Sequence, residues 1–321
     1  MSEDDNVETE LLKGFLVQET FDNDPCLEVV EYETDKVSQA RQLDRSGRRI
    51  DVLVLVKTTP QPSEKYVDTV CVAGLALNPL RWVRLYPIPF RYLQAENKFQ
   101  KYSIISVEVS QSAHDNRIES LTVRADTIRA EPMITSDHGW EKRAKLVEPI
   151  GTVALCDLIE EVKANINAPS LAMVRPEPGS FSLKISEHPG WSESQQKKIE
   201  KHASRGEQVL IGEADTRATL EAPLLKIWAK FRCQDNCTGH ELQFIDWEPT
   251  PLMRREAKQN SDLESVVRKR FEYNPARDDR DLRIFVGNQS DPQRRRGFQA
   301  LGLYYPTRVS AEAARQSAPL F

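Results

Sequence analysis

The sequence predicts a mainly β protein with helical insertions, an α+β fold made of two small barrels in tandem. Three observations carry this. Short apolar, β-branched runs separated by turn residues fill positions 50–135. Further runs of the same kind recur over 169–307, and the stretch between the two sets, 136–168, reads as helix. At 321 residues, 39% of them hydrophobic, the chain is long enough for two cores.

Taken in order, residues 1–49 read as an acidic flexible arm ending in a basic lead-in, "RQLDRSGRRI". The first strand, "IDVLVLVKT" from Ile50 to Thr58, is apolar throughout, as in a strand buried on both faces. The second runs from Val67 to Leu77, with Gly74 marking a bend or bulge. Asn78 and Pro79 turn the chain into the third, Arg81 to Tyr86. Pro87 and Pro89 end it, and "FRYLQAENKF" predicts a short helix. "YSIISVEVS" and "SLTVRADTIRA" supply the fourth and fifth strands. Five strands with a helix between the third and fourth is the element order of an OB-fold barrel, so the reading is two OB-like β-barrels in tandem.

Residues 136–168 form the helical connector, punctuated by Pro149 and Gly151. In the second domain, 169–307, strands are expected in "SLAMVRP", "SFSLKIS", "LLKIWAKFRC", "ELQFIDWE", "LRIFVGN" and "FQALGLYYP". "SESQQKKIEKHA" opens with Ser192 and Gln195 at capping-box spacing, a helix start. A long charged helix is expected from about Pro251 to Glu272, and 308–321 is a tail.

Charge is uneven along the chain. The total is −5, yet residues 1–36 hold twelve acidic residues against two lysines, leaving a body with 42 basic against 37 acidic side chains. An acidic arm of this kind can compete for a basic surface. The start, "MSEDDNVETE", is acidic where a targeting peptide is basic or apolar, and no run of eighteen apolar residues occurs, so a cytoplasmic protein without a membrane partner is expected. Five cysteines, an odd number and mostly far apart, argue against a disulfide framework and for reduced, buried thiols.

Trp82, Arg84 and Tyr86 alternate with Val83 and Leu85, so the aromatic rings and a cation share one strand face. In an OB-fold that face stacks on bases and meets phosphates. Lys57, Arg91, Lys98 and Lys101 are near enough in sequence to widen it. A hairpin loop carrying Arg294, Arg295 and Arg296 is expected to project into solvent and contact phosphate. The partner predicted is single-stranded DNA or RNA. The competing reading covers Trp82 and Tyr86 with another domain, makes the aromatic strand an interface core, and implies a protein partner.

Cys233, Cys237 and His240, spaced C-x3-C-x2-H, place two thiolates and an imidazole where they can meet one Zn²⁺. The fourth ligand is missing: Asp246 is too far along a straight strand, and His202 is the remaining candidate. Asp246 and Glu248 share a strand face and would hold Mg²⁺ in a nuclease given a third carboxylate. Phosphate-loop, dinucleotide, nucleophile-elbow and H-E-x-x-H signatures are absent, so catalysis has no assigned residues. His114–Asp115 and Asp137–His138 have no partner nucleophile.

"VLVLVKTTPQPSEKYVDTVCVAGL", "RWVRLYPIPFR", "KYSIISVEV", "SLAMVRP", "CTGHELQFIDWE" and "LRIFVGN" together resemble a family of uncharacterised bacterial proteins described as containing a dual OB domain. The resemblance covers roughly residues 50–306. It implies two OB-like barrels and a link to nucleic acid, in the setting of a recognition component of a bacterial defence or genome-maintenance system. It supplies no catalytic residues.

Overall fold

Five strands form in the first half as expected, the fifth cut short at Val123 by a 3-10 turn over Ala125–Thr127, and they close on themselves. The computed structural model describes residues 47–62, 68–113, 115–165, 167–206 and 220–317, so most of the acidic arm and His114 lie outside the described residues. The strands are β1 (Arg48–Lys57), β2 (Asp68–Leu77), β3 (Leu80–Ile88), β4 (Ser103–Gln111) and β5 (Ser120–Val123). Their order is β1-β2-β3-β5-β4, with β4 pairing back to β1; every pair is antiparallel except β3 with β5. Closure leaves no free edge among these five. A sixth strand, β6 (Arg129–Met133), pairs with β4 outside the ring.

Alternation sorts the side chains. Val52, Val54, Val72, Val83, Leu85, Ile105 and Val107 fill the barrel. Gly74 sits opposite a bulge in β1 between Val54 and Val56, and a Cβ there would run into the Leu53 carbonyl. The bend read from Gly74 is therefore a close approach of two backbones. The helix expected between the third and fourth strands is instead two single 3-10 turns, Phe90–Tyr92 and Ala95–Asn97, each stopped by an extended residue, Leu93 and Lys98.

Leu53, Leu55, Leu75 and Leu77 point out of the barrel, yet all are buried. They form a shared core with Leu171, Met173, Phe285, Leu301 and Tyr304 of the second half. This is why β1 is apolar on both faces, and why the described residues form one compact unit. Helix α1 (Asp137–Val147) adds Trp140 and Val147 to that core, so the predicted connector is packed into it. Helix α2 (Leu155–Ala164) follows.

The second half has six strands: β7 (Leu171–Val174), β8 (Ser182–Glu187), β9 (Leu225–Phe231), β10 (His240–Gln243), β11 (Arg283–Asn288) and β12 (Phe298–Tyr304). They make two three-stranded antiparallel sheets, β10-β9-β8 and β12-β11-β7. The segment after β10 joins them: the Phe244 N–H donates to Ile227 O at 2.8 Å and the Ile245 N–H to Ala300 O at 2.9 Å. A core including Leu158, Phe231, Phe244, Phe271 and Ile284 lies between the layers.

Helix α3 (Glu193–Gly206) begins as its capping box requires, with the Ser192 N–H donating to Gln195 Oε1 at 3.0 Å. The single charged helix expected near 251–272 is broken. Helix α4 (Pro249–Ala257) ends before Asn260 at φ 54°, and Asp262 caps a new helix, α5 (Leu263–Arg268), by accepting the Glu264 and Ser265 N–H groups. Residues 308–317, expected as tail, form helix α6 (Arg308–Ser317), whose Ala311 and Ala314 are buried; the Ser310 hydroxyl donates to His138 O at 3.0 Å. Among the described residues no helix is long and apolar enough to cross a membrane.

Candidate metal centre and the predicted nucleic-acid face

Strand β9 ends at Phe231 and β10 begins at His240, and these two residues pair across the ladder. The intervening loop therefore folds back on itself and brings Cys233, Cys237 and His240 to one point. Gly239, at φ 105°, takes the turn before His240. The Gly239 N–H donates to Cys237 Sγ at 3.4 Å. Cys233 packs against the second core.

The missing fourth group is Cys156, the second residue of α2. Its Sγ lies 3.7 Å from Cys233 Sγ and 3.4 Å from His240 Nε2, and Cys233 Sγ is also 3.4 Å from His240 Nε2. All four ligand atoms fall within 4.8 Å of one another. Metal–sulfur and metal–nitrogen bonds of about 2.3 and 2.0 Å in a tetrahedron imply S···S near 3.8 Å and S···N near 3.5 Å. The three separations among Cys156, Cys233 and His240 match these values, and the cluster of four could hold a metal ion. His202, whose side chain lies outside the described residues, is not needed.

Electrostatics agree with this. Burial and the neighbouring Cys237 and Cys233 push the Cys156 thiol up to about 12, and burial also raises Cys233. Burial lowers His240, favouring the neutral imidazole that ligates metal. Cys237 goes the other way: burial opposes its ionisation, but hydrogen bonds from the Cys233 and Gly239 backbone and from the neighbouring thiols outweigh it and lower it. A bound dication would favour the thiolate at all three. Sequence spacing could not find Cys156, because it lies 77 residues before Cys233.

The aromatic strand divides in two. Val83 and Leu85 face the barrel interior as expected. On the other face only Tyr86 is exposed, at 44%. Trp82 packs edge-on against Phe285 at 5.8 Å, and Arg84 is buried, its guanidinium donating to Ser170 O at 3.2 Å and Ser170 Oγ at 3.1 Å. An open platform of all three is thus corrected: the second half covers Trp82 and Arg84, because the apolar outer face of β1 and β2 demands a partner. Trp82→Ala is accordingly expected to lower stability by about 3 kcal/mol, read in urea unfolding; a change below about 1 kcal/mol would contradict the packing assigned to it.

The remaining predicted cations are scattered between surface and interior. Lys98 is exposed and Arg91 half-buried. Lys57 sits over the Phe90 ring at 4.2 Å and donates to Phe99 O at 3.1 Å; burial lowers it to about 8, partly opposed by Glu248 and Asp246. Lys101 is buried, its ammonium 2.7 Å from Asp246 Oδ2 and 3.1 Å from Glu248 Oε2. Neither lysine is therefore a surface phosphate contact. The same ion pair answers the Mg²⁺ expectation, since an ammonium stands where the two carboxylates would need a dication. Asp115, for which the sequence offered no partner nucleophile, accepts hydrogen bonds from Arg117 and the Ser120 hydroxyl.

In the β11–β12 loop, Arg294 has a 70% exposed side chain and Arg296 is exposed. Arg295 is buried at 6%, which corrects the expectation of three solvent-facing guanidiniums. Its carbonyl accepts from Asn288 Nδ2 at 2.9 Å.

Residues 48–149, the barrel and α1, match the Domain of unknown function (DUF8758), and residues 151–320 match the Domain of unknown function (DUF8757). No curated protein matches the chain. All four cluster residues fall within the second match. That match spans more than half of the chain, and the protein belongs to the family described as Domain of unknown function (DUF8757).

Proposed function

We propose that the protein binds single-stranded nucleic acid on an OB-like barrel, along a face running from Tyr86 to the arginine loop of β11–β12. The observation that supports this is a hydrogen-bond relay. Arg84 and Tyr86 share a face of β3, and the Arg84 guanidinium donates to Ser170 O. The Asn288 N–H donates to the same carbonyl at 3.1 Å, and the Asn288 side chain holds Arg295 O. Arg117 also donates to Asn288 O. An exposed ring on the barrel and two exposed guanidiniums on the second half are thus tied to one seam, the combination that binds bases and phosphates together.

The metal of the cluster is zinc in this reading: three thiolates and one imidazole in a tetrahedron suit it, and four protein ligands leave no open position for chemistry. Its role is to fasten α2 to the β9–β10 turn.

Fluorescence anisotropy with labelled single-stranded DNA and RNA tests the binding face. The Arg294→Ala/Arg296→Ala double variant is expected to bind about tenfold more weakly, with the log–log salt slope reduced by roughly 1.4, since each single-strand phosphate contact contributes about 0.7. Tyr86→Ala should weaken binding by roughly 1–3 kcal/mol if one base stacks there. No binding of either nucleic acid at low salt would remove this reading in favour of a protein partner at the same face.

A further inference from the structure

A cavity of about 420 Å³ opens at the seam between the barrel and the second half, away from both the metal cluster and the arginine loop. Thr59 and Gln61, just after β1, form one wall; His188, Trp191 and Lys226 form another. The seam beneath it is held by the Thr59 N–H on Ile245 O at 2.8 Å and the Thr59 hydroxyl on Asp246 O at 3.1 Å. Small-molecule sites run from about 300 to 1,000 Å³ and favour junctions between structural units.

The lining selects a class of ligand. Asp246 lines the cavity, but its carboxylate is taken by Lys101. Lys226 is half-buried and has no ion-pair partner among the described residues, so the one uncompensated charge is positive. His188 Nδ1 accepts the Gly190 N–H at 3.0 Å, leaving the ring proton of the neutral form on Nε2 as a donor. Burial and the Lys226 charge both lower His188, keeping it neutral beside the lysine. The Trp191 indole N–H is committed to Leu220 O at 2.8 Å, and the His188 ring meets Trp191 at 79° and 6.0 Å. That fixes the indole, whose remaining capacity is its π-face. At the start of α3, Ser192 and Gln195 already satisfy each other.

We propose that this cavity binds a nucleotide, with a flat heteroaromatic ring on Trp191 and a phosphate on Lys226. The ligand is either a free mononucleotide or the 5′-phosphorylated terminal residue of a strand. The proposal stands on the cavity alone and does not depend on the Tyr86 face.

Isothermal titration of the full chain with the four ribonucleoside 5′-monophosphates, and with the matching nucleosides, tests it. At least one monophosphate is expected to bind with single-site stoichiometry, about tenfold or more tighter than its nucleoside, as a charge-assisted phosphate contact requires. Lys226→Met should abolish that difference, and Trp191→Leu should weaken both ligands. Lys184→Met, at an exposed lysine of β8 paired with Glu241, should change neither. Circular dichroism on each variant separates lost binding from lost fold, and if Trp191→Leu unfolds, Lys226→Met carries the test. A 5′-phosphorylated oligonucleotide that competes with the monophosphate identifies a strand terminus as the source; failure to compete identifies the free nucleotide. No binding of any monophosphate at millimolar concentration, or equal binding by the wild type and Lys226→Met, overturns the proposal. Loss of oligonucleotide binding in the Arg294→Ala/Arg296→Ala variant with mononucleotide binding intact would leave it standing.

Discussion

Cys156→Ser is expected to abolish metal binding at the Cys/His cluster and lower the thermal midpoint by about 10 °C or more. The reasoning begins with connectivity. Three ligands lie within the β9–β10 loop and its end, but Cys156 is on α2, and its contact with Cys233 closes 77 residues. Metal ligation in small zinc domains is worth roughly 10–16 kcal/mol of folding free energy. In a chain with its own hydrophobic cores only part of that appears as global stability. A loss of roughly 4–5 kcal/mol corresponds to about 10–15 °C for a domain of this size. Serine keeps the volume and removes the thiolate, so packing of Leu155 and Leu158 is preserved and the change reports the ligand. Elemental analysis of the wild type should give one zinc per chain, and of Cys156→Ser much less. A wild-type protein without stoichiometric metal, or a Cys156→Ser protein with unchanged midpoint, would remove the centre.

Lys101→Met should destabilise the protein by about 3–5 kcal/mol. Lys101 belongs to the barrel and Asp246 to the second half, and their side chains are 5% and 1% exposed. Gly302 makes the room: a Cβ there would stand 3.0 Å from Asp246 Oδ2 and 3.3 Å from Lys101 Nζ. Removing the ammonium leaves a buried carboxylate without its counter-charge, which costs more than the pair contributes when intact. The double variant Lys101→Met/Asp246→Leu should therefore recover much of the loss. Burial alone would lower Lys101, but Asp246 and Glu248 outweigh it and hold the ammonium above its ordinary 10.5. A raised lysine contributes fully below 10.5 and loses that contribution only as the pH rises through the folded value. The intact pair is therefore constant from pH 7 to pH 9, whereas in Lys101→Met the unpaired Asp246, which burial already raises to about 6 with the ammonium in place, titrates higher still, so the deficit measured by urea unfolding should be at least as large at pH 9 as at pH 7. A deficit below about 1 kcal/mol would show that the clasp does not hold the halves together.

Much of the first half was legible in the sequence because strands report locally. The alternation of Val83 and Leu85 with Trp82, Arg84 and Tyr86 placed each side chain on its correct face, and the unbroken apolar run of β1 announced burial on both sides. The capping box at Ser192 named its helix start, since cap chemistry spans only three residues. Cys233, Cys237 and His240 were readable as a group because one hairpin turn brings them together. What covers a face was not readable. An outward Arg84 looks the same in sequence whether it meets phosphate or, as here, Ser170, 86 residues later. Cys156 with Cys233, and Lys101 with Asp246, are pairs separated by 77 and 145 residues, and no periodicity or spacing links them. By itself the sequence determined most of the strands, their faces and three of the four residues of the candidate metal cluster, because these follow from backbone alternation and turn chemistry over a few residues. Only the tertiary structure decided the fourth ligand, the fate of the aromatic strand and the buried clasp, because packing two apolar sheet faces together sets which distant groups meet.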